Sequence, residues 1–174
     1  MPEIQEKRAT RVARDGRGER TSYDDIDVGH DLGSLEWEVT PELIDKQCTM
    51  DDDYDPLFSL DGGPFGGRVA PPQISYRPPR WLFSRNFNVR GVFYRWEMEN
   101  INPIRPNTKV IVSGKITNKW VKDDREYVEF ESIGVDEKGQ LLFKTRRVHV
   151  LDVIKRTAPR SGVGMDSGKK PERI

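Results

Sequence analysis

After residue 88 the chain reads as a succession of long stretches that alternate between apolar and polar residues: 89–100, 109–121, 126–136 and 140–151. A period of two marks strands with one face on a core. In the first stretch the alternation runs through Val92, Tyr94 and Trp96. In the second it runs through Val110, Val112, Lys115 and Thr117. The last two stretches are separated by Asp136, Glu137, Lys138 and Gly139, a hairpin turn with glycine where φ must be positive. An earlier strand is expected at 34–39, with Leu35, Trp37 and Val39 on one face. This many strands leave room for little helix, and an α+β domain follows, its antiparallel sheet wrapped around a central helical segment.

The helical material lies between residues 40 and 87. Thr40 is a good N-cap, Pro41 suits the first helical position, and Glu42 places an acid in the first turn. Leu43, Ile44 and Gln47 mark a short helix that runs into the acidic segment at 50–58. Residues 61–72, rich in glycine and proline, form a structured loop. Residues 73–87 carry Ile74, Tyr76, Trp81, Leu82 and Phe83, but Pro78 and Pro79 are expected to bar one continuous helix through the middle.

Composition sets the limits of this domain. Of 174 residues 34% are apolar and 33% charged, and much of the charge falls at the ends. Residues 1–21 and 157–174 hold too few apolar groups to offset the entropy of ordering and are expected to be disordered tails, leaving a domain over 22–156. A core of about 130 residues buries enough apolar surface to fold unaided. Lysine plus arginine equals aspartate plus glutamate at 29 each, so nothing electrostatic argues for nucleic acid or an anionic membrane. No apolar run approaches the ~20 residues that span a bilayer. The first 21 residues lack the apolar stretch of a secretory signal, and their acids argue against a transit peptide. The single cysteine, Cys48, excludes an internal disulfide, fits a reducing cytoplasm, and is expected to be a small buried hydrophobe. Neither His30 nor His149 has metal-ligand spacing, so no metal is expected. His30 is read as exposed, and His149 as a satisfied surface or interface residue facing away from Val148 and Val150.

Several segments, taken in order, resemble the MaoC-like dehydratases and hydratases, whose domain is the hot-dog fold. The similarity spans about residues 23–155. Asp25-Ile26-Asp27-Val28-Gly29 looks like the family's opening strand and turn, and Val39 through Ile44 like its first helix. Asp53-Tyr54-Asp55-Pro56-Leu57-Phe58 resembles its Asp-x-Asn-Pro-hydrophobic-His segment. Gly66 through Pro72 resembles the loop entering the central helix, and Asn102 through Thr108 the proline-containing turn before the long strand. The resemblance implies a site for an acyl thioester, carried on coenzyme A or an acyl-carrier protein, with no further cofactor. In the family a paired Asp and His add water across a 2-enoyl thioester or remove it, while a backbone N–H at the start of the central helix polarises the carbonyl.

On that pattern the catalytic candidates are Asp53 and Asp55, and the substrate-binding candidates are Phe58, Arg68, Val69, Ala70, Pro72 and Gln73. Two positions depart from it. Phe58 stands where the histidine belongs and has no proton to give. Pro72 falls where many active members have a glycine, and proline has no N–H. For Asp53 two readings stand, a solvated carboxylate among its acidic neighbours or a substrate-orienting group. Arg68, Arg77, Arg80 and Arg85 suit either the phosphates of coenzyme A or ordinary ion pairs. Tyr76, Trp81, Phe83, Phe87, Phe93, Tyr94 and Trp96 are expected in the core and in dimer contacts. Three functions follow: a hydratase/dehydratase, a non-catalytic acyl-binding subunit of a heteromer, and a thioesterase. A lone hot-dog domain leaves an edge strand exposed, so a homodimer or a heterodimer with another hot-dog subunit is expected.

Overall fold

The computed structural model describes residues 21–60, 63–89 and 91–151. The tails expected at 1–21 and 157–174 lie outside these residues except for Thr21. Its backbone N–H donates to the Asn88 carbonyl at 3.1 Å, and its hydroxyl accepts from the Asn88 N–H at 2.9 Å.

Five strands form one antiparallel sheet. They are β1 (Asp31–Val39), β2 (Val92–Asn100), β3 (Thr108–Lys122), β4 (Arg125–Asp136) and β5 (Leu141–Leu151), in the spatial order β1-β3-β4-β5-β2. Every strand predicted from alternation is present, whereas residues 25–29, likened to an opening strand and turn, form turns and no strand. The turn after β4 is also as predicted, with Gly139 at φ 79° and its N–H donated to the Asp136 carbonyl. Two helices complete the domain, α1 (Pro41–Asp51) and α2 (Arg77–Asn86), the latter preceded without a break by a 3₁₀ turn, Pro72–Tyr76. The sheet wraps around this continuous segment.

Thr40 caps α1 as expected, its hydroxyl accepting from the Leu43 N–H at 3.2 Å, and Ile44 and Cys48 bury the inner face. Thr40→Ala should cost about 1 kcal/mol in a urea melt. An unchanged midpoint would show the cap to be dispensable. Cys48 is buried, and burial pushes its thiol pKa up.

The prolines at 78 and 79 do not interrupt the helical segment. They occupy the second and third positions of α2, where backbone N–H groups have no partner within the helix, so losing them costs nothing there. Phe83 carries α2 onto the sheet. It stacks on Phe130 of β4 with centroids 4.6 Å apart and planes 4° apart.

Two of the predicted alternations are corrected, one of them by a bulge. Between Phe93 and Arg95 the pairing with β5 slips by one residue. Phe93 and Trp96 therefore share the helix-facing side, opposite His149 and Arg147, while Tyr94 turns outward against Tyr127. In β3 plain alternation through Gly114 lets Ile116, not Lys115 or Thr117, continue the buried row of Val110 and Val112, and a bulge follows between Ile116 and Asn118. Of the seven aromatics expected in core or dimer contacts, Phe83 and Phe87 are buried, whereas Phe93 and Tyr94 on edge strand β2 are exposed.

Both histidines depart from expectation. His30 is half-buried, its Nε2 3.4 Å from the Asn86 side-chain oxygen and its ring 5.0 Å from Phe87. His149 does face away from Val148 and Val150, but into the core rather than the surface. Because α2 covers that face of β5, its ring packs against Phe83 at 5.2 Å and Phe130 at 5.6 Å.

Candidate functional site

The acidic segment after α1 is shaped by its own side chains. Asp52 ends the helix in the left-handed region at φ 52°, with its N–H donated to the Cys48 carbonyl. Asp53 accepts from the Asp55 N–H at 3.3 Å, and Asp55 accepts from the Leu57 N–H at 2.9 Å, capping a single 3₁₀ turn, Pro56–Phe58. These two carboxylates are thus engaged with the local backbone. Asp53 is half-buried and Asp55 exposed.

Two bonds tie this turn to the next loop, and further bonds tie the loop to its surroundings. The Leu57 carbonyl accepts from the Val69 N–H at 3.2 Å. The Arg68 guanidinium donates to the Phe58 carbonyl and also pairs with Asp45 of α1. The Ala70 N–H donates to the Ile104 carbonyl at 2.7 Å, which brings in the segment that follows β2.

Between these three segments lies a cavity of about 340 Å³. Leu57, Phe58, Phe65, Val69, Ala70, Pro71 and Pro72 form one side, and residues 100–104 form the other. The surface is apolar apart from Asn100 and Asn102, and the Asn102 side chain already donates to the Leu141 carbonyl at 2.7 Å. None of the lining side chains is titratable.

The structure therefore brings together Phe58, Val69, Ala70 and Pro72, four of the substrate-binding candidates, around one cavity. It leaves Asp53, Asp55 and Gln73 outside the lining, and Arg68 braces the wall from behind. Pro71 and Pro72 open the central helical segment, so Gln73 carries its first N–H. The Ile74 N–H is already donated to the Pro71 carbonyl at 3.0 Å. Sequence reasoning missed Leu57, Phe65, Pro71 and the strand-end wall at 100–104. The apolar pair Ile101 and Ile104 around Pro103 was the available signal for that wall. Among the described residues no group of three or more His, Cys, Asp or Glu side chains is placed to hold a metal, and no described helix is long and apolar enough to cross a membrane.

No protein-family model and no curated protein matches the sequence. Solved structures do match the fold. The R-hydratase PhaJ1 from Pseudomonas aeruginosa superposes with a TM-score of 0.65 at 12% identity, over 83% of this chain and 97% of its own. A MaoC-like dehydratase from Rhodospirillum rubrum gives 0.57 at 20% identity, over 77% and 97%. The HadBC (3R-hydroxyacyl-ACP dehydratase) complex from Mycobacterium tuberculosis gives 0.59 at 14% identity, over 71% and 99%. The fold is that of a hot-dog domain. Its neighbours among solved structures are MaoC-like dehydratases and (R)-hydratases, and some of them are heteromeric complexes.

Proposed function

We propose that this chain is an acyl-thioester-binding hot-dog subunit that holds the acyl group while another hot-dog subunit supplies the catalytic Asp and His. One observation carries the reading. The cavity formed by the segments that resemble the MaoC-like site is lined by Phe58 and Pro72, with no side chain able to move a proton, while the Asp53 and Asp55 carboxylates cap backbone turns beside it. Such a cavity binds by apolar burial and shape. General acid–base chemistry needs a titratable group within reach of the reacting proton. The 3R-hydroxyacyl-ACP dehydratase among the neighbours supports an acyl group on a carrier protein as the ligand, coenzyme A being the other carrier that the family resemblance implies, and the HadBC complex is a precedent for a heteromer.

The partner's place is the free edge of β2, where Val92 and Tyr94 are more than half exposed. An unpaired edge with apolar side chains is a natural seat for a second sheet. The single buried thiol suits a reducing cytoplasm.

Mass spectrometry of the purified chain with a panel of enoyl-CoAs tests the reading. The expected result is thioester binding without a product heavier by one water, and hydration only when a hot-dog subunit with an intact Asp and His is added. Hydration by the chain alone would overturn it and assign the chemistry to its own carboxylates, with Asp53→Asn the deciding variant. Release of coenzyme A with the double bond intact would instead make it a thioesterase.

A further inference from the structure

Three alternate residues of β5, Thr145, Arg147 and His149, face the central helical segment, and each is more than nine-tenths buried. Strand register places them in rows across the sheet: Ser132, Thr145 and Met98; Phe130, Arg147 and Trp96; Val128, His149 and Phe93. Arg147 is completely buried. Its guanidinium lies 4.4 Å from the centre of the Tyr76 ring and 5.4 Å from Trp96, and donates to the Tyr76 carbonyl.

Much hydrogen-bonding capacity here is unused. Arg147 Nε and Nη1, Thr145 Oγ1, Trp96 Nε1, His149 Nε2 and the hydroxyls of Ser75 and Ser132 are buried without a partner among the described residues. Nearly all are donors or hydroxyls able to donate. Burial holds Arg147 down to about 10, with Tyr76 acting against this and Arg80 adding to it, and burial holds His149 to about 4, with Arg147 and Arg80 adding to it; no carboxylate acts on either. Buried charges in proteins are paired. A lone guanidinium among spare donors is the complement of an anion with several acceptor positions, and a carboxylate fits that description.

Two elements that line the cavity continue to the cluster. Asn100 lines the cavity, and Met98 and Trp96 follow it on the same face of β2, opposite Thr145 and Arg147. Four strand residues cover about 13 Å. On the other wall Pro72 lines the cavity, and Tyr76, four residues later in the same turn, covers Arg147.

We propose that the cluster centred on Arg147 receives the terminal carboxylate of an acyl chain whose thioester end lies at the Phe58–Pro72 cavity, which makes the ligands of this chain ω-carboxyacyl thioesters. This rests on the acyl-binding reading above. An acidic side chain from a paired subunit offers the same chemistry from a different source, and it predicts no preference in the isolated chain.

Calorimetric titration of the isolated chain with sebacyl-CoA and decanoyl-CoA, matched in length and differing in the tail carboxylate, tests the proposal. Sebacyl-CoA should bind about 10- to 100-fold tighter, the range expected of hydrogen bonds to a buried charge. Arg147→Met should abolish that preference and keep decanoyl-CoA binding. It should also raise Tm, since it replaces an unpaired buried charge by an apolar chain of similar length. Thr145→Val, which leaves the charge in place, should reduce the preference. Equal binding of the two thioesters to the wild-type chain would overturn this inference and leave the acyl-binding reading intact. So would a preference that survives in Arg147→Met. Binding of neither would overturn both.

Discussion

Phe83→Ala is expected to lower the unfolding free energy by about 3–5 kcal/mol, the range for deleting a large buried aromatic. Phe83 is 1% exposed and is the ring through which α2 meets the sheet. It stacks on Phe130, sits 5.4 Å from Phe87, and covers one face of His149 at 5.2 Å. Alanine leaves a cavity that sheet and helix cannot both move to fill, because β4 is held between two paired neighbours. Urea denaturation measures the loss as a lower midpoint at constant slope. A loss below about 1 kcal/mol would mean that the helix is held by other contacts, since even partial collapse of such a site costs more.

The second large effect depends on pH. His149 is kept neutral by burial, with the positive Arg147 and Arg80 adding to the effect, so its folded pKa is about 4 against an ordinary 6.5. Below pH 6.5 the unfolded chain binds a proton on this imidazole that the folded chain refuses until about pH 4. Protonation therefore favours unfolding across that window. The stability present at pH 7 is lost progressively as pH falls from 6.5 to 4, by about 3 kcal/mol, and this residue adds no further loss below. His149→Phe, which suits the stack between Phe83 and Phe130, should remove this component. The informative quantity is the difference between wild-type and variant unfolding free energies at pH 7 and pH 4. Parallel curves would show that the acid sensitivity comes from elsewhere.

The sheet was legible because its signal is repetitive. Each strand is long enough for alternation to emerge from noise, and the Gly139 turn and the Thr40 cap are local devices that act through their immediate neighbours. The errors occur where a tertiary contact overrides a local rule. Pro78 and Pro79 break a helix interior but not a first turn, and the preceding 3₁₀ turn that puts them there carries no strong sequence mark. The bulge at Phe93–Arg95 reverses the facing of Trp96, and a single inserted residue cannot be seen in an alternation only a few residues long. His149 looked like a surface residue because polar side chains on strands usually are. Its burial follows from where α2 lands on the sheet, and that of Arg147 from the 3₁₀ turn before it, whose Tyr76 covers the guanidinium. At the candidate site Phe58, Val69, Ala70 and Pro72, named from the resemblance, border one cavity. The wall at 100–104 arrives from a later segment of the chain, through the bond between Ala70 and Ile104.

The difference between chain order and spatial order in the sheet bears on how the domain assembles. The inner strands β3, β4 and β5 are consecutive in the chain, and the first pair is joined by Asp123 and Asp124, both in the left-handed region that matches the twist of a tight hairpin. Their pairing closes short loops and costs little chain entropy. The rim strands close much longer ones: β1 reaches β3 from Val39 to Thr108, and β2 reaches β5 from Asn100 to Phe143. The meander is thus the part of the chain most ready to nucleate, and the rims are the parts that open first in the native state. The β2 edge proposed for the partner is one of those rims. A partner strand seated there would clamp the domain where it is loosest, so that association and the completion of folding become a single event.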